Sequence, residues 1–245
     1  MAEVWIILGA SSATGRAYAR RAAGEGNHLV LCARDMGDLE RLATDCEARG
    51  APTATPILFD MRDPDTYGAI LAAADAADSV INAAVFVGSM PSQDDINADP
   101  KLGDTTIQDS FTGPAHFLTA LAPLMEAKSG GTVIGVGSVA GDRGRIGNYT
   151  YGAAKAGFHT FLSGLRNRLT RAGGHVVTVK PGFVDTAMTW GLPGLFLVAK
   201  PESVADDLWR AHVKRKDVIY TPWFWRIIMG IITRIPERIF KKMSV

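Results

Sequence analysis

The sequence predicts an α/β protein: one domain built on a doubly wound parallel sheet with helices on both faces. Three observations carry that prediction. Short apolar runs alternate with longer runs of helical periodicity, the order that a parallel sheet with crossover helices requires. The chain opens on an apolar run, a turn of small residues and an alanine- and arginine-rich helical pattern. Its 245 residues, 47% hydrophobic and 21% charged, supply one large core and show neither an internal repeat nor a linker.

The elements follow in order. Val4–Leu8 is the first strand, residues 9–15 the turn and residues 16–23 the first helix. Residues 27–35 read as the second strand. Residues 36–49 read as a helix with Leu39, Leu42, Ala43 and Cys46 on one face. Residues 53–60 form a third strand, 65–74 a helix and 79–84 a fourth strand. Residues 86–105, frequent in glycine, proline, aspartate and serine, read as a loop. Residues 106–127 read as one long helix with Phe111, Ala115, Leu118, Ala122 and Met125 apolar. Residues 131–137 are the fifth strand, which delivers Ser138 at its carboxyl end. A loop over 141–148 leads to a helix over 149–171. Residues 176–179 are the sixth strand, ending at Pro181, and 218–220 a short last one.

Tyr151 and Lys155 carry the most chemistry. They stand one helical turn apart on one face. An ammonium beside a phenol favours the phenolate, so the spacing predicts a Tyr151 pKa below the ordinary value of about 10. Such a phenol is a general acid and base near neutral pH. At the other end of the chain, Gly9, Ser11, Ser12, Ala13, Thr14 and Gly15 lead into a helix N-terminus. Unpaired N–H groups and the positive end of the helix dipole suit a pyrophosphate there, and small residues let the backbone approach it. At the end of the second strand, Arg34 offers a guanidinium to a 2′-phosphate, which predicts NADP ahead of NAD. Asp35 beside it is the rival, a carboxylate suited to a free ribose.

Together these residues resemble the short-chain dehydrogenase/reductase family over nearly the whole chain, which implies a Rossmann-like fold. Residues 9–15 are similar to its TGxxxGxG loop, with Leu8 in place of the threonine and Ala13 in place of the middle glycine. Asp60 matches the acidic residue near the adenine, and Asn82-Ala83-Ala84 resembles the NNAG segment. Ser138 matches the catalytic serine, Tyr151 and Lys155 the YxxxK pair, and Pro181-Gly182 with Thr186 the PG motif. The same matches extend the implied cofactor-binding set to Met61 and Val184. One position departs: Ser110 stands where the family has an asparagine that supports a proton-relaying water. The resemblance implies hydride transfer between a nicotinamide and a carbonyl or alcohol. Ser138 would hold the substrate oxygen, Tyr151 would give it a proton, and Lys155 would hold the ribose and lower the tyrosine pKa. NADPH-dependent reduction of a small carbonyl compound leads. An NAD-dependent alcohol dehydrogenase and a non-catalytic nucleotide-sensing scaffold are the alternatives.

Composition narrows the partners. A net charge of +1 gives no field for nucleic acid. Cys32 and Cys46 have neither metal spacing nor a disulfide framework, which suits a reducing cytoplasm. No secretory signal is expected, and no apolar run reaches the roughly 20 residues of a membrane span. His116 and His159 read as structural. Met188 and Trp190 read equally as lid or core. Residues 1–220 are expected to form the catalytic domain and 221–245 an amphipathic C-terminal extension. Tryptophan beside aliphatic and basic residues there suits a subunit contact, a homodimer or tetramer being usual in the family, or a peripheral membrane contact. The tail also resembles that of bacterial family members acting near membranes, including those of polyprenyl-phosphate-linked pentose synthesis. That likeness implies a lipid-linked or hydrophobic substrate.

Overall fold

The computed structural model describes residues 2–191 and 196–243. Seven parallel strands form one sheet in the order β3-β2-β1-β4-β5-β6-β7. They are β1 (Val4–Leu8), β2 (His28–Ala33), β3 (Ala54–Leu58), β4 (Ile81–Val85), β5 (Thr132–Val136), β6 (His175–Pro181) and β7 (Val218–Thr221). The order reverses between β1 and β4, so a crevice opens there beyond the carboxyl ends of the strands.

The inner strands are buried on both faces because helices cover both, while the edge strands β3 and β7 stay partly exposed. In β1, Trp5 and Ile7 enter one core while Val4, Ile6 and Leu8 enter the other. The first core is closed by α1 (Ala13–Ala23), α2 (Met36–Ala48) and, further along the chain, a helix over Pro201–Val213. The second is closed by α3 (Tyr67–Ala76) and by helices over Gly113–Ala127 and Tyr149–Thr170. The expected face of α2, Leu39, Leu42, Ala43 and Cys46, is its buried face.

Two expectations need correction. Residues 86–105 are not a loop: they hold α4 (Gln93–Ala98) and α5 (Pro100–Ile107). The serine and aspartate that suggested a loop are helix caps. Ser92 accepts from Asp95 N at 3.1 Å, and Asp99 accepts from Lys101 N at 3.1 Å with Pro100 opening the next helix. Nor is 106–127 one regular helix. It runs from the end of α5 through a π turn (Gln108–Thr112) into α6 (Gly113–Ala127). Pro114 has no N–H to donate to Ser110 O, so the regular ladder is broken where the turn widens.

After β5 come a 3₁₀ turn (Val139–Asp142), α7 (Tyr149–Thr170) and β6, then α8 (Pro201–Val213), a helix beyond those expected. The tail folds back as α9 (Trp225–Ile232) and α10 (Glu237–Phe240). Trp225, Met229 and Phe240 are buried against the chain's own residues. Arg143 fastens the pair. It donates to Ile232 O and Ile235 O at 2.6 Å each, reaches Glu237 at 2.9 Å and lies 3.7 Å from the Phe240 ring centre. Among the described residues, no helix is long and apolar enough to cross a membrane.

Candidate active site

The glycine turn is built for close approach. Gly9 has φ +78°, a left-handed conformation that side chains disfavour. A Cβ on Gly15 would lie 2.4 Å from Gly9 O, so the helix start packs directly on the turn. Ser12 caps α1: its hydroxyl accepts from Gly15 N at 3.1 Å and donates to Gly9 O at 2.8 Å. The N–H groups of Ser11, Ala13 and Thr14 have no hydrogen-bond partner among the described residues, and all three residues are half-buried. Such donors fit a phosphate.

Around this turn the predicted residues divide. Arg34 is exposed just past β2, with no ion-pair or hydrogen-bond partner among the described residues. Asp35 instead caps α2, accepting from Asp38 N at 2.9 Å. Asp60 lies just past β3, where its carboxylate accepts from Arg62 N at 2.9 Å. Met61 turns inward: its side chain packs on Gly113 and its carbonyl accepts from Tyr67 OH at 2.9 Å. Asn82 is not brought to the crevice. It is buried in β4, donating to Glu3 at 2.9 Å and accepting from Thr132 N at 2.7 Å, and so ties β1, β4 and β5 together. Ala83 and Ala84 are buried within β4. The wall opposite the glycine turn is formed by the next residues, since Phe86 carbonyl atoms stand 3.1 Å from a Cβ built on Gly9. On the far side Pro181 is buried and Gly182 lies under the Trp225 indole, which leaves no room for a Cβ. Val184 is buried and bridges Ala199, and Thr186 is half-buried. Met188 and Trp190 are exposed, which rules out the core reading for them. Residues 192–195 lie outside the described residues.

Ser138, Tyr151, Lys155 and Ser110 do converge, and all four are buried. Ser138 leaves β5 in extended conformation, and its hydroxyl accepts from Ala140 N at 3.1 Å. The Tyr151 phenol is close enough for the Ser138 side chain to lower its pKa. Lys155 Nζ donates to Val136 O at 3.0 Å. Gly88 passes between the lysine and the π turn: a Cβ there would lie 3.2 Å from Ser110 Oγ and 3.3 Å from Lys155 Nζ. A bidentate Arg62–Asp109 pair, 2.7 Å on each arm, braces that turn from β3. The segment holding α4 braces the start of α7. Gln93 accepts from Thr150 N at 3.0 Å and donates to its hydroxyl at 3.2 Å, where the N-cap residue Asn148 makes no side-chain cap.

The electrostatics differ from the expectation that Lys155 lowers the tyrosine pKa. Burial pushes the Tyr151 phenol up to about 12, and the Ser138 hydrogen bond only offsets part of this. Burial also brings Lys155 down to about 8. The ammonium is engaged by Val136 O, 5.8 Å from the Tyr151 ring centre, and dehydration of the phenol outweighs it.

Comparisons with known proteins give consistent matches in sequence and in fold. The family model described as short chain dehydrogenase matches residues 3–193. An uncharacterized oxidoreductase of Mycobacterium tuberculosis is 33% identical over 239 residues, covering 97% of this chain and 96% of that protein. A sulfoacetaldehyde reductase of Chromohalobacter salexigens is 32% identical over 216 residues, 86% of this chain and 81% of that one. Among solved structures, a short-chain dehydrogenase from Sphingobium yanoikuyae in complex with NADPH superposes with a TM-score of 0.82 at 24% identity. It covers 96% of this chain and 97% of its own.

The lowered lysine gives a stability prediction. Between pH 8 and 10.5 the unfolded chain holds the Lys155 proton more tightly than the folded one, so its contribution to stability rises with pH across that window. At pH 7 the charge is held at a cost. Lys155→Met is expected to raise the melting temperature of the cofactor-free protein at pH 7 by a few degrees. The gain should shrink above pH 10. A lower melting temperature would mean that the bond to Val136 O outweighs the dehydration.

Proposed function

Because the chain belongs to the short-chain dehydrogenase family, and is thus an NAD(P)-dependent oxidoreductase, we propose that it reduces a carbonyl to an alcohol with NADPH, Tyr151 acting as general acid. The observation that carries this reading is the buried Ser138–Tyr151–Lys155 cluster beside the crevice. The free N–H groups of the glycine turn and the unpartnered Arg34 fit a phosphorylated dinucleotide. Ser11, Ala13 and Thr14 would hold its pyrophosphate, Arg34 its 2′-phosphate, and Asp60 the adenine side. Bound there, the nicotinamide supplies the hydride.

The residues do the rest. The Ser138 hydroxyl donates to the substrate oxygen and orients the carbonyl. Tyr151 gives its proton to that oxygen as the carbon–oxygen double bond becomes single, and its own oxygen is left as phenolate. Lys155, still charged at neutral pH, steadies that phenolate and holds the ribose. Ser110, on the other side of Gly88, offers a hydroxyl for returning the proton from solvent. A phenol kept protonated by burial is an acid first, which favours reduction over the dehydrogenase alternative. Asp35 is occupied as a helix cap, which favours NADPH over NADH. Arg34→Asp is expected to weaken NADPH binding about 10- to 100-fold in a fluorescence titration and to leave NADH nearly unchanged. Equal NADPH affinity in both proteins would remove Arg34 from the 2′-phosphate site.

The tail supports a second part of the reading, peripheral contact with an anionic membrane and a hydrophobic substrate. Its inner face is pinned, but Trp223, Ile227 and Ile231 form an outer ridge exposed by 72%, 57% and 63%. Arg226, Arg234, Arg238, Lys241 and Lys242 flank it against one acidic residue, Glu237. Apolar residues beside cations suit a surface of anionic lipid. Trp225 on Gly182 places this helix beside the crevice. Self-association through the edge strand β7 is compatible with that arrangement. Replacing Trp223, Ile227 and Ile231 together by serine is expected to abolish co-sedimentation with phosphatidylglycerol vesicles. Unchanged co-sedimentation would exclude the ridge as the contact.

A further inference from the structure

Tyr151, Lys155 and His159 follow one another at four-residue spacing along one face of α7. The proton-transfer scheme uses the first two. His159 lies behind Ser138, where its Nε2 accepts the Ser138 backbone N–H at 3.3 Å. That amide is the next one beyond the β5–β6 pairing, whose last bond is Gly137 N to Val179 O at 2.8 Å. Without the imidazole it would be left unpaired in the interior.

The backbone is shaped around the ring. A Cβ on Gly137 would lie 2.1 Å from Nε2, and one on Gly141 would lie 2.7 Å from Cε1. These two glycines flank Ser138 on either side. On the ring's far side Nδ1 faces Asp142 at 3.8 Å. Lys180 of β6 donates to Asp142 Oδ1 at 2.6 Å, and Tyr220 of β7 donates to Oδ2 at 2.8 Å. Acceptance at Nε2 requires a neutral ring with its proton on Nδ1, the tautomer that a carboxylate on that side favours. Burial, with the Lys180 charge, holds the His159 pKa down to about 4, so the ring is neutral at physiological pH.

We infer that His159 is a positioning residue: by accepting the Ser138 amide from behind, it fixes the serine hydroxyl that receives the substrate oxygen, with Asp142, Lys180 and Tyr220 setting its tautomer. The inference rests on the reading of Ser138 given above. It concerns a part of the site that the YxxxK and serine motifs leave out.

Two measurements on the full chain test it, on wild type and on His159→Gln, His159→Asn and His159→Leu. The first is hydrogen exchange of the Ser138 amide by NMR in the cofactor-free protein. The second is NADPH-dependent reduction of 4-nitrobenzaldehyde as the probe carbonyl. Glutamine can place an oxygen where Nε2 stands, whereas the shorter asparagine and the apolar leucine cannot. Slow exchange is expected in wild type and His159→Gln, with exchange about tenfold or more faster in the other two. In those two, kcat should fall about 10- to 100-fold with NADPH affinity and KM nearly unchanged. Equal exchange in all four proteins, or a kcat loss in His159→Gln as large as in His159→Leu, would overturn the inference. If the leucine variant does not fold, the glutamine and asparagine pair decides. Wild type that fails to reduce the probe speaks against the carbonyl-reductase reading, while the exchange pattern still decides the role of His159.

Discussion

Burying a phenol and an ammonium side by side at the carboxyl ends of a parallel sheet is the constraint on which the rest of this structure depends. Both groups lose water, and both respond as dehydration requires: the phenol holds its proton more tightly and the lysine less tightly. The surrounding chain is organised to keep them there. The Arg62–Asp109 pair braces the π turn, Gln93 of α4 holds the first turn of α7 through Thr150, and Ser138 leaves β5 in extended conformation. None of these contacts adds to the hydrophobic cores on either side of the sheet. Their effect is to hold a few polar atoms in place at the carboxyl ends of the strands.

The fold was legible because its signal is repetitive. Apolar strands and periodic helices alternate, and the inner strands feed residues into both cores, as Trp5 and Ile6 do from adjacent positions. The convergence of Ser138, Tyr151 and Lys155 was legible because the serine ends a strand and the other two share a helix face. What was not legible turned on direction and context. Ser92 and Asp99 suit loops and helix caps equally, and only the paired N–H decides. Asn82 and Met61 fall in the right segments, but a side chain turned into the interior, from β4 or from the turn after β3, cannot also line the crevice. The tyrosine pKa departs from expectation because spacing reports the nearby charge and not the loss of water. His159 had a signal in its four-residue spacing from Lys155, yet its partner, the Ser138 amide, is visible only in three dimensions.

The C-terminal segment shows how one short helix can meet two demands. Its inner face, Trp225 and Met229, closes over Gly182 and the loop between Ser138 and Tyr151. Arg143 supplies donors to the carbonyls at its end, where a helix has acceptors to spare. The segment is therefore part of the architecture around the site rather than a loose appendage. Its outer ridge and its cations remain facing outward, in the arrangement that suits an anionic lipid surface.

The central claim is that the buried Tyr151 phenol gives the proton that completes carbonyl reduction. The most direct test is single-turnover reduction of a carbonyl by NADPH-loaded wild type and Tyr151→Phe, with NADPH affinity measured on both. The account predicts equal affinity and a reduction rate lower by about 100-fold or more in the variant, since only the hydroxyl has been removed. A variant that binds NADPH and reduces the carbonyl at the wild-type rate would contradict it and move the acid elsewhere in the site.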